Sequence, residues 1–135
     1  MIITELKGMK RIELERELKK SIHSLRYEKG YVCAVDILIR LGYLSKKGYE
    51  DWRFGRVKYL EKVCNANLGT LTFINKTIRK IANELQLESS WTGYNQHGKN
   101  KQQRLTFSKL GQKNIEEAYA THYIDKERLN EIKIS

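Results

Sequence analysis

The sequence predicts a mainly α-helical protein with one β-hairpin, an α+β fold. Over most of residues 9–87, apolar residues recur at spacings of three and four, which is typical of amphipathic helices. The stretch SSWTGYNQHGKNKQQRLTFSK, Ser89 to Lys109, instead alternates apolar and polar residues on both sides of a polar loop, which is typical of a hairpin. The chain contains no proline, so nothing forces a break within the helices.

The first two helices follow from the apolar pattern. One runs from about Met9 to Arg26 with a single apolar stripe: Leu14, Leu18, Ile22 and Leu25. Gly30 suits the position just beyond a helix end. The second helix covers about Val32 to Leu41 and is apolar around most of its circumference. We therefore expect it in the centre of the core.

Two short helices come next. Ser45 is a good N-cap for a third helix, which Gly55 closes. A fourth helix, over about residues 56–64, has the spacing to bury four apolar side chains: Val57, Leu60, Val63 and Cys64.

The fifth predicted helix, residues 69–87, has the clearest period. It begins after a cap at Asn67 or Thr70. Its apolar residues form one face: Leu71, Ile74, Ile78, Ile81, Ala82 and Leu85. The opposite face has six polar residues, three of them cationic and none acidic: Thr72, Asn75, Lys76, Arg79, Lys80 and Asn83.

The hairpin is predicted directly after this helix. Trp91 and Gly93 alternate in its first strand, Leu105 and Phe107 alternate in its second, and Gly98 suits a turn with positive φ.

A last helix starts near Asn114 and, if uninterrupted, continues through residues 125–132. We expect one domain over residues 1–135, with an N-terminal helix over 1–29, a core over 30–110 and a C-terminal helix over 111–135.

The positive charge is concentrated around the hairpin. The net charge is +10. Residues 89–115 contain five cations and no acid: Lys99, Lys101, Arg104, Lys109 and Lys113. The stretch after Lys113 is net acidic. A polyanion is the natural partner of a surface with this charge distribution.

Short helices, then a basic amphipathic helix, then a basic hairpin form the element order of a winged helix-turn-helix. In that arrangement the helix enters the major groove and the hairpin, or wing, lies against the DNA backbone. Each polar residue then has a role. The three helix cations contact phosphates or guanine edges, Asn75 and Asn83 are placed to read adenine, and Lys99, Lys101 and Arg104 hold the wing to phosphate. Trp91 is expected as core beneath the wing, with base stacking by Trp91 and Tyr94 as the alternative.

The segment YEDWRFGRVKYLE, residues 49–61, interleaves aromatic and cationic residues. Arg53 and Arg56 are candidate phosphate clamps beside the groove helix. The alternative is structural, and it is the one we favour: Trp52, Phe54 and Tyr59 belong to the core, and the arginines border them.

YEDWRFGRVKYLE, together with SWTGY and RLTFSKLGQKNIEEAYATHY, resembles a group of small uncharacterised proteins of Gram-positive bacteria. The resemblance covers about Gly30 to Tyr123, and Lys58 stands where that group has a proline before YLE. It implies a bacterial protein but no site and no activity.

The sequence lacks the motifs typical of nucleotide-binding, metal-binding and catalytic sites. There is no phosphate-binding Gly loop. His23, His97 and His122 lie far from one another in the sequence, and Cys33 and Cys64 are 31 residues apart. No metal site, cofactor or catalytic residue is predicted, and an enzymatic activity is not favoured. The longest apolar run, YVCAV, is too short to span a membrane. We expect a cytoplasmic protein with reduced cysteines.

These observations favour a nucleic-acid-binding protein, with duplex DNA ahead of RNA. The helix of residues 69–87 and the wing of residues 91–109 would carry the contacts. The alternative is a small protein of a mobile element that binds and inhibits or adapts a nucleoprotein machine. The C-terminal helix is the candidate surface for a protein partner or a homodimer.

Overall fold

The computed structural model describes residues 10–134. Its six α-helices are α1 (Arg11–Lys29), α2 (Ala34–Arg40), α3 (Lys46–Arg53), α4 (Leu68–Glu84), α5 (Lys113–Ala120) and α6 (Lys126–Ile134). Its three strands are β1 (Tyr31–Cys33), β2 (Glu88–Trp91) and β3 (Thr121–Ile124), which form one antiparallel sheet in the order β1-β3-β2. The predicted α+β class is confirmed.

Helix α1 buries the stripe that its spacing predicted. The helix begins at Arg11 after Lys10, and the predicted start at Met9 lies outside the described residues. The helix ends at Gly30, whose φ of 79° lies in the left-handed region and whose N–H donates to the Arg26 carbonyl. A Cβ at Gly30 would also lie 2.8 Å from the Leu129 backbone. Glycine is therefore required there for both conformation and space.

Helix α4 also agrees with its prediction. The Asn67 side chain accepts a hydrogen bond of 2.8 Å from the Thr70 N–H, which satisfies one of the free amides of the first turn. The apolar face is buried against the core. The helix ends at Glu84, and Gln86 adopts a positive φ of 56° just before β2.

Two predicted helices differ from the structure because their backbone amides pair elsewhere. Val32 and Cys33, expected to open the second helix, belong to β1 and pair with β3. The predicted helix over residues 56–64 contains only a 3₁₀ turn, Leu60–Val63. There, the N–H groups of Leu60 and Glu61 donate to the carbonyls of residues 106 and 107.

The predicted hairpin has a different partner. β2 pairs with β3, in a register that sets Trp91 opposite Thr121. Residues 92–112, called the basic loop below, connect β2 to α5. Two backbone bonds of 2.8 Å, from Leu105 N to Tyr94 O and from Gln96 N to Gln103 O, are all that remains of the predicted pairing within this described segment.

The predicted last helix is divided into α5, β3 and α6. The segment Thr121–Ile124 has the period of a helix, but it is rich in β-branched and aromatic residues, which favour strands. It lies in the middle of the sheet and pairs with both neighbours. Long-range pairing therefore overrides the local helical pattern.

The basic loop is attached to the core by an aromatic cluster. Trp52 of α3 is fully buried, and its indole N–H donates a bond of 2.8 Å to the Thr106 carbonyl. Its ring packs against those of Tyr94 and Phe107, and Phe107 stacks on Tyr119 of α5.

The Glu116 carboxylate fixes the end of the basic loop. It accepts bonds of 2.9 Å from the Phe107 N–H and 2.8 Å from the Ser108 N–H, and a third from the Ser108 hydroxyl. These donors are partly buried, so losing their acceptor leaves them unsatisfied.

Replacing Glu116 with alanine should lower the free energy of unfolding by about 2–4 kcal/mol, since each unsatisfied partly buried donor costs about 1–3 kcal/mol. Glu117→Ala is the matched control, because that exposed carboxylate lies 3.9 Å from Lys113 and has no other ion pair among the described residues. It should change stability by less than about 0.5 kcal/mol. Urea unfolding measures both, and equal losses would contradict the role given to Glu116.

Candidate nucleic-acid interface

The exposed face of α4 is polar and cationic. Thr72, Lys76, Arg79 and Asn83 are exposed on the side opposite the buried stripe. Neither Lys76 nor Arg79 forms an ion pair with another described residue. Both cations are therefore available to an external anion.

The two residues that flank this face are engaged within the protein. Lys80 lies 3.7 Å from the Glu15 carboxylate of α1. Asn75 is half-buried beside the Tyr119 hydroxyl. The sequence pattern placed both on the free polar face. Their partners lie on α1 and α5, far away in the sequence, so the spacing within α4 could not reveal them. The contact with Tyr119 engages the Asn75 side chain within the protein, whereas an exposed ion pair such as that of Lys80 is weak and exchangeable.

The basic loop carries a second group of free cations. Lys99, Lys101 and Lys109 are exposed and form no ion pair with any residue in the described part of the chain. Lys113, at the start of α5, lies 3.9 Å from Glu117. Glu116, the nearest acid after the loop, points inward to the amides of residues 107 and 108. The loop surface is therefore positive without a compensating carboxylate of its own.

Arg104 and Trp91 differ from their predicted roles. The Arg104 guanidinium lies 4.9 Å from the centre of the Trp91 ring, and its Nε donates a bond of 2.7 Å to the Asn95 side chain. Trp91 is 60% exposed. The expectation that Trp91 is core is wrong, because the strand that should have covered it pairs elsewhere.

Arg53 attaches the basic loop to α3. Its guanidinium lies over the Tyr94 ring at 5.1 Å and hydrogen-bonds the His97 ring, while its carbonyl accepts from the His97 N–H. Arg53 is half-buried, and its contacts join the loop to α3.

Arg56 is also occupied. It lies 3.0 Å from the Asp51 carboxylate and over the Phe54 ring at 5.1 Å. The ion pair with Arg56, followed by that with Lys47, holds the pKa of Asp51 below its usual range. The contacts of the two arginines fit the structural alternative, and Trp52 is core as that alternative expects. The expectation that Phe54 is core is wrong, because its ring is 42% exposed beside Arg56.

The contact with Arg53 makes the loop sensitive to acid. An arginine can only donate, so the His97 Nε2 accepts and the ring is neutral. Partial desolvation, then the charges of Arg53 and Lys101, lower the pKa of His97. The unfolded chain therefore binds a proton at His97 more readily than the folded protein does. The contribution of neutral His97 to the stability of the fold is complete above its unfolded pKa of about 6.5, and it is lost as the pH falls through its lower folded pKa.

We expect the His97 ring to titrate at a lower pH in the folded protein than in the urea-unfolded chain. NMR titration of the ring under both conditions measures this difference. Exchange of the His97 N–H should accelerate as the pH falls through the folded pKa, relative to the exchange expected for an unfolded chain. A ring that titrates at the same pH folded and unfolded would contradict the contact.

A second cluster links the loop to the sheet and lacks nucleophilic chemistry. The Tyr94 hydroxyl lies 2.9 Å from His122 Nε2 and 3.7 Å from the Cys33 thiol. The His122 ring stacks on Tyr31. Burial raises the pKa of Cys33 to about 12, so the thiol stays protonated. These contacts join the basic loop to β1 and β3.

Between Lys10 and Ile134, no three His, Cys, Asp or Glu side chains converge as a metal site would require. In the same part of the chain, no helix has the length and apolar character needed to cross a membrane.

No protein-family model matches the chain, and no curated protein or solved structure matches it.

Proposed function

We propose that this protein binds nucleic acid, with duplex DNA as its preferred partner, in the cytoplasm. The observation that carries the proposal is the pair of free cationic surfaces on α4 and the basic loop. Lys76 and Arg79 on the helix, and Lys99, Lys101 and Lys109 on the loop, face solvent without ion pairs among the described residues. Exposed cations without local carboxylates favour a polyanionic ligand.

The connection between the two surfaces supports a single ligand. β2 leads from the end of α4 into the basic loop, so one short strand joins the basic helix to the basic loop. The wing of this proposal is the loop of residues 92–112. The aromatic cluster around Trp52 and the Arg53 contacts hold it in place.

Helix α4 has suitable dimensions for a groove. Its 17 residues span about 25 Å, and the major groove of B-DNA admits a single α-helix. The four residues of its exposed face lie within three turns, close enough to contact bases and phosphates of one groove. This geometry favours duplex DNA over duplex RNA, whose major groove is too narrow for side chains to read.

The test is a set of anisotropy titrations with labelled duplex DNA, duplex RNA and single-stranded DNA. Duplex DNA should bind best, and its affinity should fall steeply between about 50 and 200 mM salt. Stronger binding to RNA would contradict the preference for DNA. If none of the three binds at low salt, the proposal is wrong, and an acidic protein surface becomes the partner to test.

A further inference from the structure

Trp91 is a large aromatic residue of an edge strand that is exposed to solvent and paired with an arginine. It ends β2, which is the edge strand next to β3 in the described sheet, and 60% of its surface is exposed. The Arg104 guanidinium lies over the ring at 4.9 Å. Such an exposed aromatic ring, paired with arginine, can stack a planar ligand.

The neighbouring residues keep this pair together. Arg104 is oriented by its bond to Asn95 across the base of the loop. A Cβ at Gly93 would clash with the Arg104 guanidinium and lie 2.7 Å from the Trp91 ring. Glycine at position 93 therefore leaves space for the Arg104 guanidinium beside the Trp91 ring, and Asn95 holds that guanidinium in place.

Charge distinguishes Trp91 from the other exposed aromatic–arginine pairs. Tyr27 is 68% exposed, and the Arg128 guanidinium lies over its ring at 4.0 Å. This pair lies in a cleft that is also lined by three acidic residues, Asp125, Glu127 and Glu131. Phe54 lies beside Arg56, which is neutralised by Asp51. No acid is present between Ser89 and Ile115, so the surroundings of Trp91 attract an anionic ligand.

The sheet register relates Trp91 to α4. Trp91 and Ser89 share a sheet face with their partners Thr121 and Tyr123, because paired residues point the same way and alternate ones repeat. Burial raises the pKa of Tyr123, and the nearby charge of Arg79 acts against that rise. The Arg79 charge therefore acts on a residue of the sheet face that also carries Trp91.

We infer that Trp91, supported by Arg104, is a stacking site for an unpaired nucleobase of a nucleic acid bound to α4 and the basic loop. The inference rests on the proposed function and makes it more specific. The ligand is a duplex with a single-stranded extension, whose first unpaired base stacks on the indole. Base–aromatic stacking is largely independent of sequence, so the site recognises a junction and not a base order.

The experiment compares three ligands: a blunt duplex, the same duplex with a single-stranded overhang, and the duplex with an abasic overhang of equal phosphate number. The parent should bind the base-containing overhang about 5- to 150-fold more tightly than the abasic one, the range for one stacked base. Indole fluorescence should be quenched only by the base-containing overhang. Trp52 is fully buried, so the change reports Trp91.

Trp91→Ala should remove this preference and leave blunt-duplex affinity unchanged, while Trp91→Phe should keep most of it. Tyr27→Ala is the matched control and should keep the preference in full. Unchanged thermal unfolding establishes that the variants fold. If Trp91→Ala weakens all three ligands equally, or if the parent does not distinguish the overhangs, the stacking site is wrong while the proposed function stands. If the parent binds no ligand, the proposed function fails and the inference fails with it.

Discussion

Replacing Lys76 and Arg79 together with alanine should raise the Kd for duplex DNA by at least about 25-fold, since each charged base contact is worth about 1–3 kcal/mol. Both side chains are exposed on α4, and neither has an ion pair within the described chain. They lie opposite the buried stripe, so the helix should remain folded. Anisotropy titrations of parent and variant on one duplex measure the change.

The control removes two charges outside α4 and the basic loop. Arg16 of α1 and Lys133 of α6 are exposed and form no ion pair with a described residue. Changing both to alanine lowers the net charge equally, so it should weaken binding only slightly through the long-range field. Similar losses in both double variants would mean that total charge, and not α4, carries the binding.

Replacing Lys99, Lys101 and Lys109 with glutamine should reduce the slope of log Kd against log salt concentration by roughly two to three. Each phosphate that a cation neutralises contributes about 0.9 to that slope. All three are exposed in the basic loop without ion pairs among residues 10–134. Arg104 is left unchanged because it holds Trp91 and Asn95. Sequence preference should be unaffected, since phosphate contacts carry little sequence information.

The measurement is a salt titration of parent and triple variant on the same duplex. Changing Arg16, Lys46 and Lys133 to glutamine is the matched control, and its slope should stay close to that of the parent. Should the loop variant keep the parental slope, the basic loop does not contact nucleic acid.

The sequence predicted the helices whose period is strong and whose ends are marked by local signals. Ser45, Asn67 and Gly30 cap or end their helices as expected because each acts within a few residues. The sheet was not predictable in the same way. β1 has three residues and β3 has the period of a helix, and both are strands because of long-range pairing, β1 with β3 and β3 with both neighbours.

The candidate site follows the same division. Which segments are cationic could be read from the sequence, and so could the polar face of α4. The sequence could not show which cations are free of ion pairs. Lys80 pairs with Glu15 and Arg53 contacts His97, and both partners are far away in the sequence. Trp91 was placed in the core by analogy with a wing strand that does not form over it. Its exposure depends on the pairing of β2 with β3.

The central position of β3 has a consequence for the order of folding. Both of its neighbours precede it in the chain, and Val32 of β1 lies 91 residues before its partner Tyr123, so the sheet cannot assemble until the segment around Ile124 has been synthesised. Closing so long a loop costs entropy before any strand pairing compensates for it, and contacts between distant segments slow folding. During synthesis, α1, α2 and α4 can pack locally while both strand edges wait unpaired. The chain is then most exposed to misassociation in the interval before β3 inserts between β1 and β2.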